Sequence, residues 1–376
     1  MVKGTQRKKL NDQFGIEDVG SSLLNELAEG LYTREAVLRE YIQNAVDAHR
    51  LWERETGERP TEPIQVELRP NSISILDRGI GMNEQEARNV KAVAVSPKRT
   101  GQVSVELTGH KGVGIWAGLS FFESLTLRTS RKGHVKGYQI DLRFRRILEA
   151  IDEKTHIGNA LNPNYEIFEF TEEIDAHYTD VTLTGPVKDR EWFLDATEIG
   201  KAIRETCPCQ VSPNFVFHDE VSNWLEQHGF DTFPITLNRS RMYREYSSAV
   251  ELFSTETLTV DDKPVAEVWY ATSKKKMLKP AKDELIGFRI VQTGFVIGSK
   301  NPYSAKTLQG FPGALQVGEY PDWYVGEIHV VMPDLYPNLP RNDFEETSES
   351  RRKLVQRIRK WYDERDVACR ILRTYP

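Results

Sequence analysis

The sequence predicts an α/β chain: a two-layer α+β sandwich, then a second α/β unit. Three observations carry this expectation. The 376 residues, set against roughly 150 per domain, allow about two domains. Segments of helical period come first and β-type runs follow them. A Gly-Pro step and a charged stretch, TGPVKDR at 184–190, separate two strand-rich halves. The expected order is an N-terminal strap over 1–20, a first domain over 21–185, a second over 190–345 and a C-terminal helix over 346–376.

Taking the elements in order, SSLLNELAEGLY (21–32) reads as a helix, and TREAVLREYIQNAVDAHRLWERET (33–56) as a longer one with Thr33 as N-cap and Gly57 as stop. IQVELR and SISILD, joined at Pro70-Asn71, read as a hairpin. NEQEARNVKAVAV is helix-like, SPKRTGQVSVELT is polar and irregular, and GHKGVGIWAGLSFF reads as a glycine loop opening a helix. Four β-type runs follow: ESLTLRTS, HVKGYQIDL, YEIFEF and TDVTLTG. In the second half, a helix (EWFLDATEIGKAIRETC) precedes the strands VAEVWYATS, FRIVQTGFVIG and YVGEIHVVM. The last helix has Leu354, Ile358 and Trp361 on one stripe and basic residues elsewhere, which reads as a docked amphipathic element.

Composition narrows the function classes. With 28% charged and 39% hydrophobic residues, the balance is that of an ordinary globular chain. No apolar run approaches the ~20 residues of a membrane span, and the basic start lacks an apolar segment behind it, so a cytoplasmic protein is expected. Three cysteines, Cys207, Cys209 and Cys369, support neither a disulfide framework nor a zinc site. A net charge of −6 argues against a bulk field that grips nucleic-acid backbones, leaving only local patches such as Lys274 to Lys276 and the basic terminal helix.

Chemistry concentrates in three places. Glu40, Asn44 and Asp47 stand at i, i+4, i+7, on one helix face, with Leu38, Ile42 and Ala45 on the opposite one. Alone, that pattern also describes any solvated polar stripe. In ILDRGIGM, a β-type run ends at Asp77, which can accept from an exocyclic amine, while Gly79 and Gly81 let the backbone approach a bound group. In GHKGVG, Gly109, Gly112 and Gly114 precede a helical run, where bare peptide N–H groups can cradle phosphate oxygens. No G-x-x-x-x-G-K-[ST] occurs, which excludes a P-loop. GVGIWA fits a relaxed dinucleotide pattern, but the following strand lacks the acidic ribose ligand.

In this order the three motifs, E-x-x-x-N, D-x-G-x-G and G-x-x-G-x-G, resemble the GHKL ATPase superfamily of gyrase, heat-shock chaperone, histidine kinase and MutL. SSLLNELAEGLYTREAVLREYIQNAVDA is most similar to the ninety-kilodalton heat-shock chaperone. The resemblance implies a Bergerat-type ATP-binding domain followed by a transducer or middle-like domain, with ATP and Mg²⁺ as ligands.

Residue by residue, it implies Glu40 as general base with Arg39 beside it, Asn44 as the Mg²⁺ ligand, and Asp47 on the nucleotide side. It implies Asp77 as reader of the adenine amine, with Gly79, Gly81 and Met82 near the base. Gly109, Lys111, Gly112, Val113 and Gly114 would hold the phosphates, and Lys98 would lie in a lid over about 96–108. Thr179 matches a Gly-Thr-x-Val turn in which Tyr178 replaces the glycine. PNLPRND matches a middle-domain loop whose arginine, here Arg341, reaches the γ-phosphate; Pro340 replaces the family serine.

The implied function is Mg²⁺-dependent ATP hydrolysis that switches domain arrangement or drives dimerisation and acts on a protein client. With so short a stretch after Arg341, the family's C-terminal dimerisation domain is not expected in this sequence. A self-phosphorylating kinase would need a phosphoacceptor helix pair ahead of the first helix. The remaining alternative is a nucleotide-gated regulatory or scaffold subunit of a nucleic-acid-processing or defence complex.

Overall fold

The structure, a computed structural model, describes residues 7–12, 32–91, 114–152, 159, 161–273, 284–298, 324–338, 341, 343–345 and 349–374. Lys98, the 96–108 segment, Gly109, Lys111, Gly112, Val113, Lys274 to Lys276, Pro340 and most of the expected first helix lie outside these residues. The chain divides into two compact units: Met1–Ala202 with Phe233–Met242, and Ile203–Thr232 with Tyr243–Pro376.

In the first unit, helix α1 (Arg34–Thr56) forms where expected. Thr33 Oγ1 accepts from the Ala36 amide, and Gly57, at φ +76°, closes the helix by donating to Glu53. No glycine or proline interrupts the 23 residues, and Glu35 and Arg54 sit at the ends that suit the helix dipole. One face is core: Val37, Leu38, Ile42, Ala45 and Val46 are buried.

The sheet of this unit runs β1 (Lys8–Leu10), β6 (Tyr165–Thr171), β5 (Lys136–Leu142), β4 (Phe122–Ser130), β7 (Tyr178–Pro186), β3 (Ser72–Asp77), β2 (Ile64–Arg69), β9 (Ile235–Leu237), β10 (Ser240–Arg244). All these neighbours are antiparallel except β2 and β9. The β2–β3 hairpin closes with Arg69 opposite Ser72, as the Pro70-Asn71 step predicts. α1 packs on β3, and α3 (Phe144–Asp152) packs on β4. Alternation of buried and half-buried residues along β7 is the signature of a sheet with one face on the core.

The N-terminal segment is bound to this sheet. Lys8–Leu10 pairs with Ile167–Glu169, Lys9 meets Glu166 at 2.7 Å, and Asp12 meets Lys91 at 2.8 Å.

Three elements differ from expectation. α2 (Glu84–Asn89) is short, closed by a reciprocal cap between Asn83 and Glu86. Residues Gly114–Gly118 form one 3-10 turn rather than the start of a helix, because the chain enters β4 at Phe122. The helix expected over 191–207 is two, α4 (Arg190–Phe193) and α5 (Ala196–Thr206), since Asp195 Oδ1 accepts from the Thr197 amide at 2.7 Å and starts a new helix.

The second unit holds the two-residue strand β8 (Gln210–Val211) and a five-stranded sheet in the order β11 (Leu252–Val260), β12 (Lys263–Thr272), β15 (Tyr324–Val330), β13 (Gly287–Gln292), β14 (Phe295–Ile297). β13 and β15 are buried almost throughout because both faces are covered. The C-terminal helix α7 (Glu349–Thr374) places Leu354, Ile358 and Trp361 against Phe288, Tyr324 and Ile328. α6 (His218–Gln227) supplies Val221, Trp224 and Leu225 to the cluster with Trp269 and Val325.

Basic residues of α7 have partners inside the unit. Arg351 meets Asp343 at 2.6 Å and Lys353 meets Asp261 at 3.3 Å, which supports the docked reading of this helix. A buried polar knot joins Glu327 to Arg244, Tyr246, Trp269 and His329. Although burial opposes its ionisation, the Arg244 guanidinium holds the Glu327 carboxyl well below the usual range.

Candidate functional site

In the first unit, the expected site residues that the structure describes lie on α1, in the turn after β3, at the 3-10 turn and on β7. A Cβ built on Gly114 would stand 3.0 Å from Asn44 Nδ2 and 3.5 Å from Glu40 Oε2. The end of the glycine loop therefore meets the carboxylate and amide of the helix at the closest approach that a residue without a side chain allows. Glu40 is 7% exposed, whereas Asn44 is open to solvent.

Tyr41 fixes this junction. Its hydroxyl donates to the Ile115 carbonyl at 2.8 Å and accepts from the Gly118 amide at 3.0 Å, pinning both ends of the 3-10 turn to α1. Burial pushes the Tyr41 phenol far above its ordinary range, so it stays a donor. Sequence reasoning missed this residue, because a tyrosine between Glu40 and Ile42 carries no motif signal.

Asp77 ends β3 directly opposite Thr179 of β7, and Thr179 Oγ1 lies 3.2 Å from Thr129 Oγ1. Asp77 Oδ1 accepts from the Gly79 amide at 2.8 Å. Burial pushes the Asp77 carboxyl up to about 7, partly offset by the Gly79 amide, Arg78 and the Thr179 amide, while the charge of Asp180 adds to the push.

The glycines of this turn have identifiable reasons. A side chain on Gly79 would collide with the Ala48 backbone of α1, and one on Gly81, at φ +65°, with the Ser130 carbonyl. Met82 follows, half-buried.

Two further residues of α1, Asp47 and Arg39, are enclosed as Glu40 is. Asp47 is 1% exposed and lies 3.6 Å from the Arg50 guanidinium, on the helix face that carries Glu40. Arg39 is also buried, and adjacent helical residues leave the axis about 100° apart. In the second unit, Arg341 is 6% exposed and adopts φ +50°; its carbonyl accepts from the Gly298 amide and its amide donates to Asn338.

Residues 32–167 match the family model for histidine kinase-, DNA gyrase B- and HSP90-like ATPases. The match runs from the cap of α1 to the middle of β6 and contains the helix, turn and glycine-loop motifs. That segment is thus similar to a GHKL-type ATPase domain, the mixed α/β fold is consistent with its sandwich, and ATP is the ligand that such a domain suggests. No helix among the described residues is long and apolar enough to cross a membrane.

Proposed function

We propose that this chain is a Mg²⁺-dependent ATPase of the heat-shock-chaperone-like GHKL class, with Glu40 as general base and Asp77 as adenine reader. The observation that carries the reading is the convergence of Glu40 and Asn44 on Gly114, on the same helix whose Ala48 backs the Asp77 turn. In hydrolysis, water attacks the γ-phosphorus, the bond to the ADP oxygen breaks, and Glu40 takes the water proton.

The side-chain oxygen of Asn44, a hard ligand on an exposed residue, fits Mg²⁺, which takes oxygen ligands and keeps substrate oxygens and waters in the remaining positions. Bound there, the ion would neutralise phosphate charge. Gly109, Lys111, Gly112, Val113 and Gly114 are assigned to the phosphates, Gly79, Gly81, Met82 and Thr179 to the base, and Lys98 to the lid. Arg39 and Asp47 are assigned to supporting roles around Glu40 and the nucleotide.

We assign Arg341 to turnover. Arg341→Ala is expected to slow steady-state phosphate release ~10-fold or more, with little change in ATP affinity measured by calorimetry. An equal loss in affinity and in the hydrolytic constant would remove that assignment.

Output is assigned to a change in domain arrangement felt by a protein partner. Family members pair as dimers, and the Lys8–Leu10 strand at the sheet edge is the element through which ATP-dependent self-association would act. Light scattering should then show a doubled mass with a non-hydrolysable ATP analogue. An unchanged mass would reject it.

A further inference from the structure

We propose that His49 and His177 are positioning residues that set adenine specificity by clamping the turn after Asp77; the inference rests on the ATP reading above and deepens it. β3 ends at Asp77, so the next peptide groups leave the ladder and need other partners. Three of these groups find one. The Arg78 amide donates to His49 Nε2 at 3.3 Å, and the Ile80 amide donates to the Ala48 carbonyl at 3.1 Å. The Gly79 carbonyl lies 3.0 Å from His177 Nδ1.

The donor and acceptor chemistry fixes both rings. A backbone N–H can only donate, so His49 Nε2 is the bare nitrogen; a carbonyl can only accept, so His177 carries its proton on Nδ1. Burial, and then the neighbouring His177, hold the His49 imidazole down to about 4, which keeps it neutral and accepting.

His177 is itself held, stacked on Trp52 at 3.9 Å between centroids and 8° between planes. Lys132 Nζ lies 5.7 Å from the same indole. Ala48, His49 and Trp52 occupy neighbouring turns of α1. The helix that presents Glu40 and Asn44 therefore also fixes the backbone around Asp77, directly through Ala48 and His49 and through Trp52 by way of His177.

Specificity follows from that rigidity. Adenine offers an amine at the position where guanine offers a carbonyl. A carboxylate discriminates between them only while it is held in place and cannot retreat from the wrong base. Loosening the clamp should weaken ATP and leave GTP nearly unchanged, a pattern that general destabilisation does not produce.

The test is calorimetric affinity for Mg·ATP and Mg·GTP in wild type, His177→Phe, His177→Asn, His49→Leu and His49→Gln, with thermal melts alongside. His177→Phe keeps an aromatic ring for Trp52 but lacks the N–H, and His177→Asn restores a donor at the δ position. We expect His177→Phe and His49→Leu to lower the ATP/GTP affinity ratio ~10-fold, chiefly through ATP, and the Asn and Gln variants to recover most of it.

Should a Phe or Leu variant not fold, its Asn or Gln counterpart must still bind ATP with the wild-type preference. Parallel losses for ATP and GTP, an unchanged ratio, or Asn and Gln variants no better than Phe and Leu would overturn the clamp. A wild type that binds neither nucleotide would instead overturn the ATP reading.

Discussion

Glu40→Ala is expected to bind Mg·ATP within about threefold of wild type and to lose ~10²- to 10⁴-fold in turnover, the range for removing a positioned general base. The expectation rests on where the carboxylate stands. Glu40 is nearly enclosed, on a helix fixed at both ends, with Oε2 beside the position of the missing Gly114 side chain. A group there acts on the phosphate end of the substrate and leaves the base-binding end untouched, so affinity and turnover should separate. Steady-state phosphate release and calorimetry on the same preparations measure both. Equal turnover in the variant and wild type would remove Glu40 from the mechanism.

Asp77→Asn should show the reverse, with a loss of affinity. An amide at this position presents N–H to the adenine amine, or loses the Gly79 amide as partner. Leaving a buried polar group mismatched costs about 1–3 kcal/mol, or ~10- to 100-fold in affinity.

The same residue predicts a pH dependence. The folded carboxyl titrates at about 7. In the free protein a proton therefore competes with the purine amine below that value, and ATP affinity should fall as pH drops from 8 to 6. The Asn variant should be flat across the range.

Stability runs the other way. The folded value lies above the unfolded value of about 4, so the neutral acid contributes stability in acid, and that contribution is lost as pH rises from about 4 through 7. Asp77→Asn should then melt above wild type at pH 8 and beside it near pH 4. A lower melting temperature at pH 8, with ATP affinity retained, would contradict the placement of this carboxylate.

Much of this site was legible because its signals are local. Thr33 and Gly57 bound α1 by capping chemistry that needs no tertiary information, and Pro70-Asn71 marks the hairpin that delivers Asp77. Gly79 and Gly81 were readable as points of close approach, although only the structure shows what approaches: the Ala48 and Ser130 backbones.

What stayed hidden depends on contacts distant in sequence. The 3-10 turn at Gly114–Gly118 looks helical in isolation, and what holds it is Tyr41, more than seventy positions earlier. α3 was not expected from the charged stretch RFRRILEA, yet Phe144 and Ile147 are both fully buried. Asp47 shares a period with Glu40 and Asn44, and only the structure shows that it is buried beside Arg50, one turn on. His49 and His177 match no motif, because their partners are peptide groups rather than side chains.

The most direct measurement is a crystal structure of the full chain with Mg²⁺ and a non-hydrolysable ATP analogue. The account predicts the adenine amine within hydrogen-bond distance of Asp77 and the terminal phosphate beside Glu40, Asn44 and Gly114. A nucleotide bound elsewhere, or bound here with its base away from Asp77, would contradict it.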